Sequence, residues 1–283
     1  MMDIVTGALS FTGRYITQRL LAMGREVRTL TGHPGRPNPF GDRVSVAPYN
    51  FDNPVELVKV LRGATTLYNT YWVRFLYGDI TYGKAVENTK TLITAAKEAG
   101  VRRIVHISIT NASEDSSLPY FTGKAQVEKA LMGSGLTYAI IRPTVIFGEE
   151  GILINNIAWL LRRFPVFVVP GSGEYRLQPV FVENVADIAV TAGQKGDNIA
   201  MDAAGPETFT FDEMVRLIAR TVHSKALILH VNPQIAFLMT KALGLMVNDV
   251  MLTQDEVQGL MANLLVSHGA PTGHTKLSSW LEK

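Results

Sequence analysis

The sequence predicts an α/β fold with a doubly wound parallel sheet, followed by a smaller, mainly helical C-terminal lobe. Three observations lead to this prediction. Short apolar runs alternate with helical patterns through the first half of the chain. The chain has 283 residues, 47% of them hydrophobic, which is enough to bury a large core. After residue 148 the alternation weakens, and helical patterns dominate from residue 205 onward.

The individual elements follow one another in a regular order. Strands are predicted at residues 4–5, 26–30, 44–47, 66–68, 101–107 and 137–141. Helices are predicted at residues 13–23, 80–99, 125–132 and 152–167. Two later segments, residues 180–182 and 198–202, are expected to return to the sheet as strands. Strands that alternate with helices indicate right-handed crossovers and a buried parallel sheet.

Composition and charge exclude several functional classes. The 27 basic and 25 acidic residues give a formal net charge of +2 and form no block of like charge, so we expect no nucleic-acid partner. The absence of cysteine excludes a disulfide scaffold, a thiolate nucleophile and any cysteine-ligated metal. The six histidines form no ligand-like pattern, so no metal site is expected. A chain without cysteine fits a reducing compartment, and we expect a cytoplasmic protein.

No segment is expected to cross a membrane or to act as a secretory signal. A membrane span needs about 18 to 20 unbroken apolar residues, and no stretch reaches that length. Residues 233–246 come closest, but they are shorter and contain Lys241. We interpret them as an ordinary core helix. The alternative is a surface helix that lies on a membrane or covers an apolar pocket, so peripheral membrane contact stays open.

A glycine-containing loop follows the first predicted strand. Residues 7–13 read GALSFTG and match a G-x-x-G-x-x-G spacing, except that Ser10 occupies the middle position. Glycine allows the backbone to approach a pyrophosphate, and the helix that begins near Gly13 offers its N–H groups and positive dipole end. The position after the first strand favours nucleotide binding over a simple tight turn. Ser10 either crowds the phosphate or donates a hydrogen bond to it.

The end of the second strand distinguishes NAD(H) from NADP(H). A carboxylate at that point would bind the ribose 2′-hydroxyl and repel a 2′-phosphate. Residues 28–33 read RTLTGH, Arg36 follows, and no acid occurs before Asp42. Because guanidinium groups bind a phosphate dianion well, this pattern favours NADP(H). The alternative is that these arginines are solvated surface residues, in which case NAD(H) stays possible. The residues expected near the 2′-phosphate are Arg14, Thr31, Gly32, His33 and Arg36.

A second group of polar residues has the spacing of a proton-transfer site. Ser108 and Thr110 follow the fifth predicted strand, and Tyr120 and Lys124 lie at the start of the next helix. Residues four apart share a helix face, so Lys124 can lie beside the Tyr120 hydroxyl. A nearby ammonium lowers the pKa of a phenol and prepares it to exchange a proton with an alcohol or carbonyl. The alternative is a solvated helix pair.

The motifs, and the order in which they occur along the chain, resemble those of the short-chain dehydrogenase/reductase (SDR) superfamily, in its extended or atypical branch. The resemblance includes the loop at residues 7–13, the Tyr120/Lys124 pair and residues 142–148, RPTVIFG. Further matches lie at residues 178–186 and 205–207. Within the branch, the chain resembles most the NmrA-like group and the SDR-fold accessory subunit of respiratory complex I with its bacterial relatives. The resemblance covers essentially the whole chain and is specific at the superfamily level.

The resemblance implies a Rossmann-type cofactor domain and a substrate lobe. The cofactor domain would comprise residues 1–148 and 179–204, and the lobe residues 149–178 and 205–283. The pyrophosphate cradle would comprise Gly7, Ser10, Thr12 and Gly13, and Phe11 and Arg14 of the same loop would be further cofactor contacts. The other cofactor contacts would be Asn50 and Phe51 at the adenine, Asn69 and Thr70 in the cleft, Lys124 at the nicotinamide ribose, and Pro143, Thr144 and Val145 beside the nicotinamide. The acid/base would be Tyr120, supported by Lys124 and Ser108.

The implied activity is that of an NADP(H)-dependent oxidoreductase acting on a small, apolar carbonyl, alcohol or quinone-like substrate. The apolar helical face at residues 233–246 is expected to cover this substrate. The polar residues expected near the substrate are Tyr71, Thr110, Asn155, Tyr175 and Gln178. Two alternatives stay open: a non-catalytic NADP(H)-binding sensor or assembly factor, and an NAD-dependent sugar-nucleotide epimerase. The protein is expected to be a monomer or a dimer.

Overall fold

A computed structural model of the chain describes residues 1–73, 76, 78–236, 238 and 254–282. The chain forms two compact units. The first comprises Met1–Pro143 and Val182–Ala203, and the second comprises Thr144–Phe181 and Ala204–Lys283. The predicted helix at residues 233–246 lies largely outside the described residues. No helix of the described part is both long and apolar enough to cross a membrane.

The first unit alternates strands and helices. Its strands are β1 (Met2–Thr6), β2 (Glu26–Thr31), β3 (Val44–Pro48), β4 (Ala64–Asn69), β5 (Arg103–Ile107), β6 (Thr137–Pro143) and β11 (Ile199–Ala203). Its helices are α1 (Phe11–Ala22), α2 (Pro54–Leu61), α3 (Tyr82–Glu98), α4 (Pro119–Met132) and α6 (Val182–Gly193), together with a short 3-10 helix, Gly41–Arg43. This alternation confirms the predicted fold class.

Across the described residues, the strands of this unit form a seven-stranded sheet in the order β11-β6-β5-β4-β1-β2-β3. Every pairing is parallel, because each connection crosses over through a helix or a long loop. Helices α1 and α6 pack together, and α3 packs against α2 and α4. Buried residues such as Ile4, Leu67 and Ile104 join the sheet to α2, α3 and α4 in one apolar core.

Helix α2 is an element that the sequence analysis did not predict. Asn53 caps it by accepting a hydrogen bond from the Glu56 N–H at 3.3 Å, and Pro54 occupies the first turn. Both features are helix-start signals. Leu57 and Leu61, four residues apart, are buried in the core of the unit. The signal was therefore present in the sequence, but the helix is only two turns long.

The second unit combines helices with short sheets. Its strands are β7 (Val145–Phe147), β8 (Val166–Pro170), β9 (Arg176–Leu177), β10 (Pro179–Phe181), β12 (Phe209–Thr210) and β13 (Leu227–Val231). Its helices are α5 (Ile152–Arg163), α7 (Phe211–Thr221), α8 (Gln254–Met261) and α9 (Leu277–Leu281). In the described part, the strands pair as β10-β7, β12-β9 and β13-β8. Its core gathers residues such as Phe147, Ile157 and Met214.

Two expectations about this region were wrong. The strand expected to rejoin the main sheet near residues 180–182 is β10, and it pairs with β7 instead. The expected cofactor domain, residues 1–148 and 179–204, includes both of these strands, while the compact units divide the chain after Pro143 and after Phe181. The helix expected at residues 152–167 ends at Arg163, because Pro165 interrupts it and β8 follows. The assignment of the units to cofactor and substrate binding stays a prediction.

Candidate cofactor and proton-transfer site

The order of the strands places a crevice beside β1 and β4. The chain runs from β1 to β2 on one side, and β4 adjoins β1 on the other, so the loops that follow β1 and β4 diverge at this point. In open parallel sheets, ligands bind at the carboxyl ends of the strands beside such a switch point. The loop after β4 is joined to β1 here, because the Thr70 N–H donates to the Thr6 Oγ1 at 2.7 Å.

The glycine loop is a cradle made of backbone. Gly7 has a φ of +69°, a conformation that a side chain would strain. A Cβ atom on Gly13 would lie 2.2 Å from the Gly7 carbonyl oxygen, so α1 can approach the loop only without a side chain there. Ser10 precedes α1, but its side chain makes no capping bond. Its hydroxyl donates instead to the Gly7 carbonyl oxygen at 2.6 Å.

These features fit a bound pyrophosphate. The first N–H groups of a helix have no acceptor within the helix, and the dipole favours an anion beside them. The Ser10 side chain leaves this end of α1 uncapped, while the two glycines keep the approach clear of side chains. The loop thus offers what a phosphate group requires. Phe11 and Thr12 are the first two residues of α1, and Arg14 is the fourth.

The end of β2 is open to solvent, as a site for a ribose phosphate must be. Gly32, His33 and Arg36 are exposed. The segment forms a turn in which the Arg36 N–H donates to the His33 carbonyl at 3.1 Å and the Thr31 hydroxyl accepts from the His33 N–H at 3.1 Å. Arg28 does not belong to this group, because its guanidinium donates to the Val60 carbonyl at 2.6 Å.

An aromatic cluster lies after β3 and β4. Tyr49 stacks on Phe51 with ring centroids 4.8 Å apart, and Tyr71 contacts both rings. Asn50, which separates Tyr49 from Phe51 in the sequence, has a φ of +50°. The Tyr71 hydroxyl accepts a hydrogen bond from the Asn88 amide at 2.8 Å, and burial raises the pKa of Tyr71. Tyr71, expected at the substrate, therefore packs with the residues expected at the adenine.

Asn69 holds β4 to its two neighbours. Its amide oxygen accepts from the Thr6 hydroxyl at 3.0 Å, and its amide nitrogen lies 3.0 Å from His106 Nδ1. Asn69 and His106 are both buried. Burial, followed by the charge of Lys124, holds the pKa of His106 well below its usual range, so the ring is neutral. Asn69 thus links β4 to the neighbouring strands. Of the two residues expected in the cofactor cleft, Asn69 and Thr70, it is Thr70 that is half-exposed.

Two of the predicted proton-transfer residues, Lys124 and Ser108, lie at the carboxyl end of β5. Lys124 is 3% exposed, and its Nζ donates to the Ile107 carbonyl at 3.0 Å. The next residue, Ser108, is buried, and among the described residues its Oγ has no hydrogen-bond partner. Tyr120 lies one helical turn before Lys124 and is half-buried. Burial lowers the pKa of Lys124 to about 7, and the charge of Glu128 opposes this shift.

Trp72 covers this group, which the sequence analysis did not foresee. Lys124 Nζ lies 4.5 Å from the centroid of the Trp72 ring. The same ring stacks on Tyr82 at 6.1 Å and meets Tyr120 edge-on at 5.8 Å. A Cβ atom on Gly123 would lie 3.0 Å from the indole, so the glycine permits the close packing. The indole Nε1 is buried and has no hydrogen-bond partner among the described residues.

Glu128 and Arg142 form an ion pair that also escaped prediction. Glu128 follows Lys124 by one turn of α4 and is buried. Arg142 Nε lies 3.0 Å from one carboxylate oxygen, and Nη2 lies 2.5 Å from the other. This pairing raises the pKa of Arg142. The spacing of Tyr120, Lys124 and Glu128 by four residues was the signal that could have revealed a shared face.

Several residues expected at the substrate or cofactor are occupied elsewhere. Thr110 is 0% exposed, and its hydroxyl donates to Asp202 Oδ2 at 3.2 Å while its N–H donates to the Pro143 carbonyl at 3.0 Å. The side chain lies inside the first unit, and its substrate contact stays a prediction. The hydroxyl of Thr144 donates to the Gln178 carbonyl, and Thr144 and Val145 are both buried in the second unit.

The three polar residues expected from the second unit have different surroundings. Gln178 is buried: its amide nitrogen donates to the Gly205 carbonyl at 2.7 Å and its amide oxygen accepts from the Ser267 N–H at 3.1 Å. Both ends of its amide are thus bonded within the unit, and its substrate contact stays a prediction. Tyr175 is buried against Phe211, and burial raises its pKa. Asn155 is exposed on α5 and donates to the Glu149 carbonyl at 2.7 Å.

The parallel sheet, its switch point and the glycine cradle define a Rossmann-type dinucleotide-binding domain. The chain belongs to the NAD(P)H-binding family, whose model matches residues 7–155. This membership confirms the resemblance stated above, and it rests on the half of the chain that contains the glycine loop and the Tyr120/Lys124 pair.

Two of the relatives are named as a subunit of NADH dehydrogenase. The chain is 26% identical to NADH dehydrogenase (ubiquinone) 1 alpha subcomplex subunit 9, mitochondrial, of Arabidopsis thaliana, over 94% of this chain and 71% of the relative. It is 26% identical to the protein of the same name from Dictyostelium discoideum, over 77% of this chain and 63% of the relative. The chain therefore spans roughly two thirds of the length of these relatives.

A solved structure shows the same fold over the full chain. It is a nucleoside-diphosphate-sugar epimerase from Staphylococcus aureus, with a TM-score of 0.77, 15% identity and coverage of 100% of both chains. At this identity, the similarity extends to the fold alone.

Proposed function

We propose that the protein is an NADP(H)-dependent oxidoreductase that acts on a small, apolar carbonyl, alcohol or quinone-like molecule. One observation carries the proposal: Lys124, one helical turn after Tyr120, donates to the Ile107 carbonyl, and the adjacent Ser108 has a buried hydroxyl with no partner among the described residues. A buried hydroxyl without a partner costs free energy, which a ligand oxygen would recover. Tyr120, Lys124 and Ser108 therefore constitute the proposed reaction site.

In the proposed reaction, Tyr120 would be the residue that transfers the proton. Bound NADP(H) supplies the hydride that passes between the nicotinamide and the substrate carbon. In the direction of reduction, the Tyr120 hydroxyl gives a proton to the oxygen that gains charge. Lys124, when protonated, stabilises the phenolate that remains. With its pKa at about 7, this lysine changes charge near neutral pH, so the proposed rate depends on pH in that range.

The preference for NADP(H) rests on the charge at the end of β2. The exposed turn between Thr31 and Arg36 contains no acid, and Arg36 is exposed within reach of solvent anions. A 2′-phosphate meets no repulsion there and gains a guanidinium partner. The small-molecule substrate and the cytoplasmic location belong to the same proposal, the latter supported by the absence of cysteine.

A second candidate is a protein that binds NADP(H) without turning it over. The observation that favours it is the position of Trp72, whose ring lies over the Lys124 ammonium while the Ile107 carbonyl accepts from it. A lysine held in this way is less free to bind a ribose or to support a phenolate. The relatives from Arabidopsis thaliana and Dictyostelium discoideum are named as subunits of an NADH dehydrogenase, a role in which this site can be structural.

The Tyr120→Phe variant distinguishes the two candidates. If Tyr120 is the acid/base, the variant binds NADPH as the wild type does and loses about 10²- to 10⁴-fold in turnover on a panel of quinones and aldehydes. Tyr138→Phe is the control, because Tyr138 lies at the opposite, amino end of β6. Equal turnover by the wild type and Tyr120→Phe excludes the role of Tyr120. Tight NADPH binding by a wild type that turns over nothing establishes the second candidate.

A further inference from the structure

The second unit exposes an apolar sheet face. Strands β8 and β13 pair in parallel, with Val166 beside Leu227. Phe167 and Val169 point into the core of the unit, so Val166 and its partner point away from it. Leu227 is 65% exposed and Leu229 is 47% exposed. The outer side of this small sheet therefore consists of aliphatic side chains in contact with solvent.

Aromatic side chains extend this surface. Trp159, at the end of α5, is exposed and meets Phe164 edge-on with ring centroids 5.8 Å apart. Pro165 follows, and its carbonyl accepts from the Leu227 N–H at 2.8 Å. The aromatic pair is thus continuous with the two strands. We call the surface made of Trp159, Phe164, Val166, Leu227 and Leu229 the apolar face.

The two segments that form the apolar face contain basic residues and no acid. Residues 152–173 and 221–238 contain no aspartate or glutamate, although the chain has 25 acidic residues. Arg162 and Arg163 are exposed at the end of α5, and Lys225 is exposed two residues before Leu227. In the described part of the chain, Asp212 contacts this region: it lies 2.9 Å from His230 on β13 and 2.5 Å from Arg216 on its own helix. Its charge is therefore compensated.

We propose that the apolar face docks onto the surface of an anionic lipid bilayer. Aliphatic side chains flanked by tryptophan and by arginine or lysine are what the interfacial region of such a bilayer attracts: the aliphatic groups enter the acyl boundary, the indole lies at the headgroups, and the cations meet the lipid phosphates. The absence of carboxylates removes the repulsion that an anionic surface would otherwise exert.

A second copy of the chain fits this face less well. A two-fold contact through the same surface would bring the Arg162, Arg163 and Lys225 cations of both copies together. The structure offers no carboxylate on these segments to compensate them. A bilayer, by contrast, supplies the opposite charge along the whole edge of the face.

Vesicle co-sedimentation of the full chain tests the proposal. We expect the wild type to sediment with vesicles of phosphatidylcholine and phosphatidylglycerol and to remain in solution with phosphatidylcholine alone. Each basic residue near an anionic surface strengthens binding about fivefold, so R162Q/R163Q should weaken partitioning about 20-fold or more. L227S/L229S should weaken it at least about tenfold, because two leucines no longer enter the acyl boundary.

Matched variants of the first unit control for general effects. Val55 is 66% exposed on α2, and Arg43 and Arg62 are exposed, so V55S and R43Q/R62Q should sediment as the wild type does. Circular dichroism and NADPH titration confirm that each variant is folded. Equal sedimentation with both kinds of vesicle, or no loss in L227S/L229S, overturns the proposal. A concentration-dependent dimer that L227S/L229S abolishes, seen by light scattering, would show that the face binds a second copy instead.

Discussion

The Nζ atom of Lys124 lies 4.5 Å from the centroid of the Trp72 ring. A cation over the face of an indole is attracted by the ring quadrupole, and more strongly when water is excluded. This contact and the hydrogen bond to the Ile107 carbonyl are what keep a charged lysine tolerable in the interior. They do not fully compensate for the lost hydration, because burial still lowers the pKa of Lys124 to about 7.

Lys124 makes the stability of the protein depend on pH in a defined window. Its pKa is about 7 in the folded protein, against 10.5 for an ordinary lysine. Below pH 7 both states hold the proton, and the cost of burying the charge is fully present. Between pH 7 and 10.5 the unfolded state binds the proton that the folded state has released, so stability rises with pH by up to about 1.4 kcal/mol per unit.

Comparison with Lys124→Met isolates this contribution. We expect the free energy of unfolding of the wild type, measured in urea, to rise between about pH 7 and about pH 9.5 relative to that of the variant. Lys59 is exposed, so the free energy of unfolding of Lys59→Met should change between these two pH values as that of the wild type does. If the wild type and Lys124→Met give parallel pH curves, the lysine does not carry a lowered pKa.

The glycine loop yields a prediction about cofactor affinity. In Gly13→Ala, the new methyl group would lie 2.2 Å from the Gly7 carbonyl oxygen and 2.7 Å from its carbon, so backbone must move. We expect NADPH to bind at least about tenfold more weakly and the protein to lose about 1 to 3 kcal/mol of stability. Gly196→Ala is the control, since a Cβ there meets nothing within 4 Å. Unchanged NADPH titration curves would show that the loop does not hold the cofactor.

The parts of the fold that depend on local sequence could be predicted, and those that depend on distant partners could not. The strands of the main sheet are apolar runs between helical patterns, so their positions follow from neighbouring residues. Strand β10 has a similar pattern, yet it pairs with β7. Its partner is decided by which strand edge lies nearby, and a single sequence does not contain that information.

The same distinction applies to the site. Tyr120 and Lys124 could be placed together because four residues make about one turn of a helix. Trp72 over Lys124 depends on the path of the chain after β4, and no spacing reveals it. Gln178 was expected at the substrate because it is polar, but the backbone groups of Gly205 and Ser267 bind both ends of its amide.

The charge at the end of β2 predicts which residue selects the cofactor. Arg36→Gln should weaken NADPH binding about five- to tenfold and leave NADH binding unchanged, because only NADPH has a 2′-phosphate for the guanidinium to contact. Arg43→Gln, in the nearby 3-10 helix, should leave both affinities unchanged. Fluorescence titration with both cofactors measures the effect. Equal losses for NADPH and NADH would exclude a contact with the 2′-phosphate.

The ion pair of Glu128 and Arg142 predicts a large loss of stability when one partner is removed. Glu128 is buried, and Arg142 contacts both of its carboxylate oxygens, so Glu128→Gln removes the carboxylate that pairs with this half-buried guanidinium and leaves it the weaker influence of Asp202. Removal of one partner from a buried pair typically costs about 3 to 5 kcal/mol, and the partial exposure of Arg142 places the expected loss near the lower value.

The matched control for Glu128→Gln is Glu87→Gln, whose pair with Lys90 is exposed on the surface of α3 and contributes less than about 1 kcal/mol. Urea unfolding of both variants measures the difference. Glu128→Gln should also lower the pKa of Lys124 further, because the carboxylate charge that opposes the effect of burial is gone. The free energy of unfolding of Glu128→Gln should then begin to rise with pH at a value below pH 7. If the two glutamine variants lose equal stability, the buried pair is not holding α4 to β6.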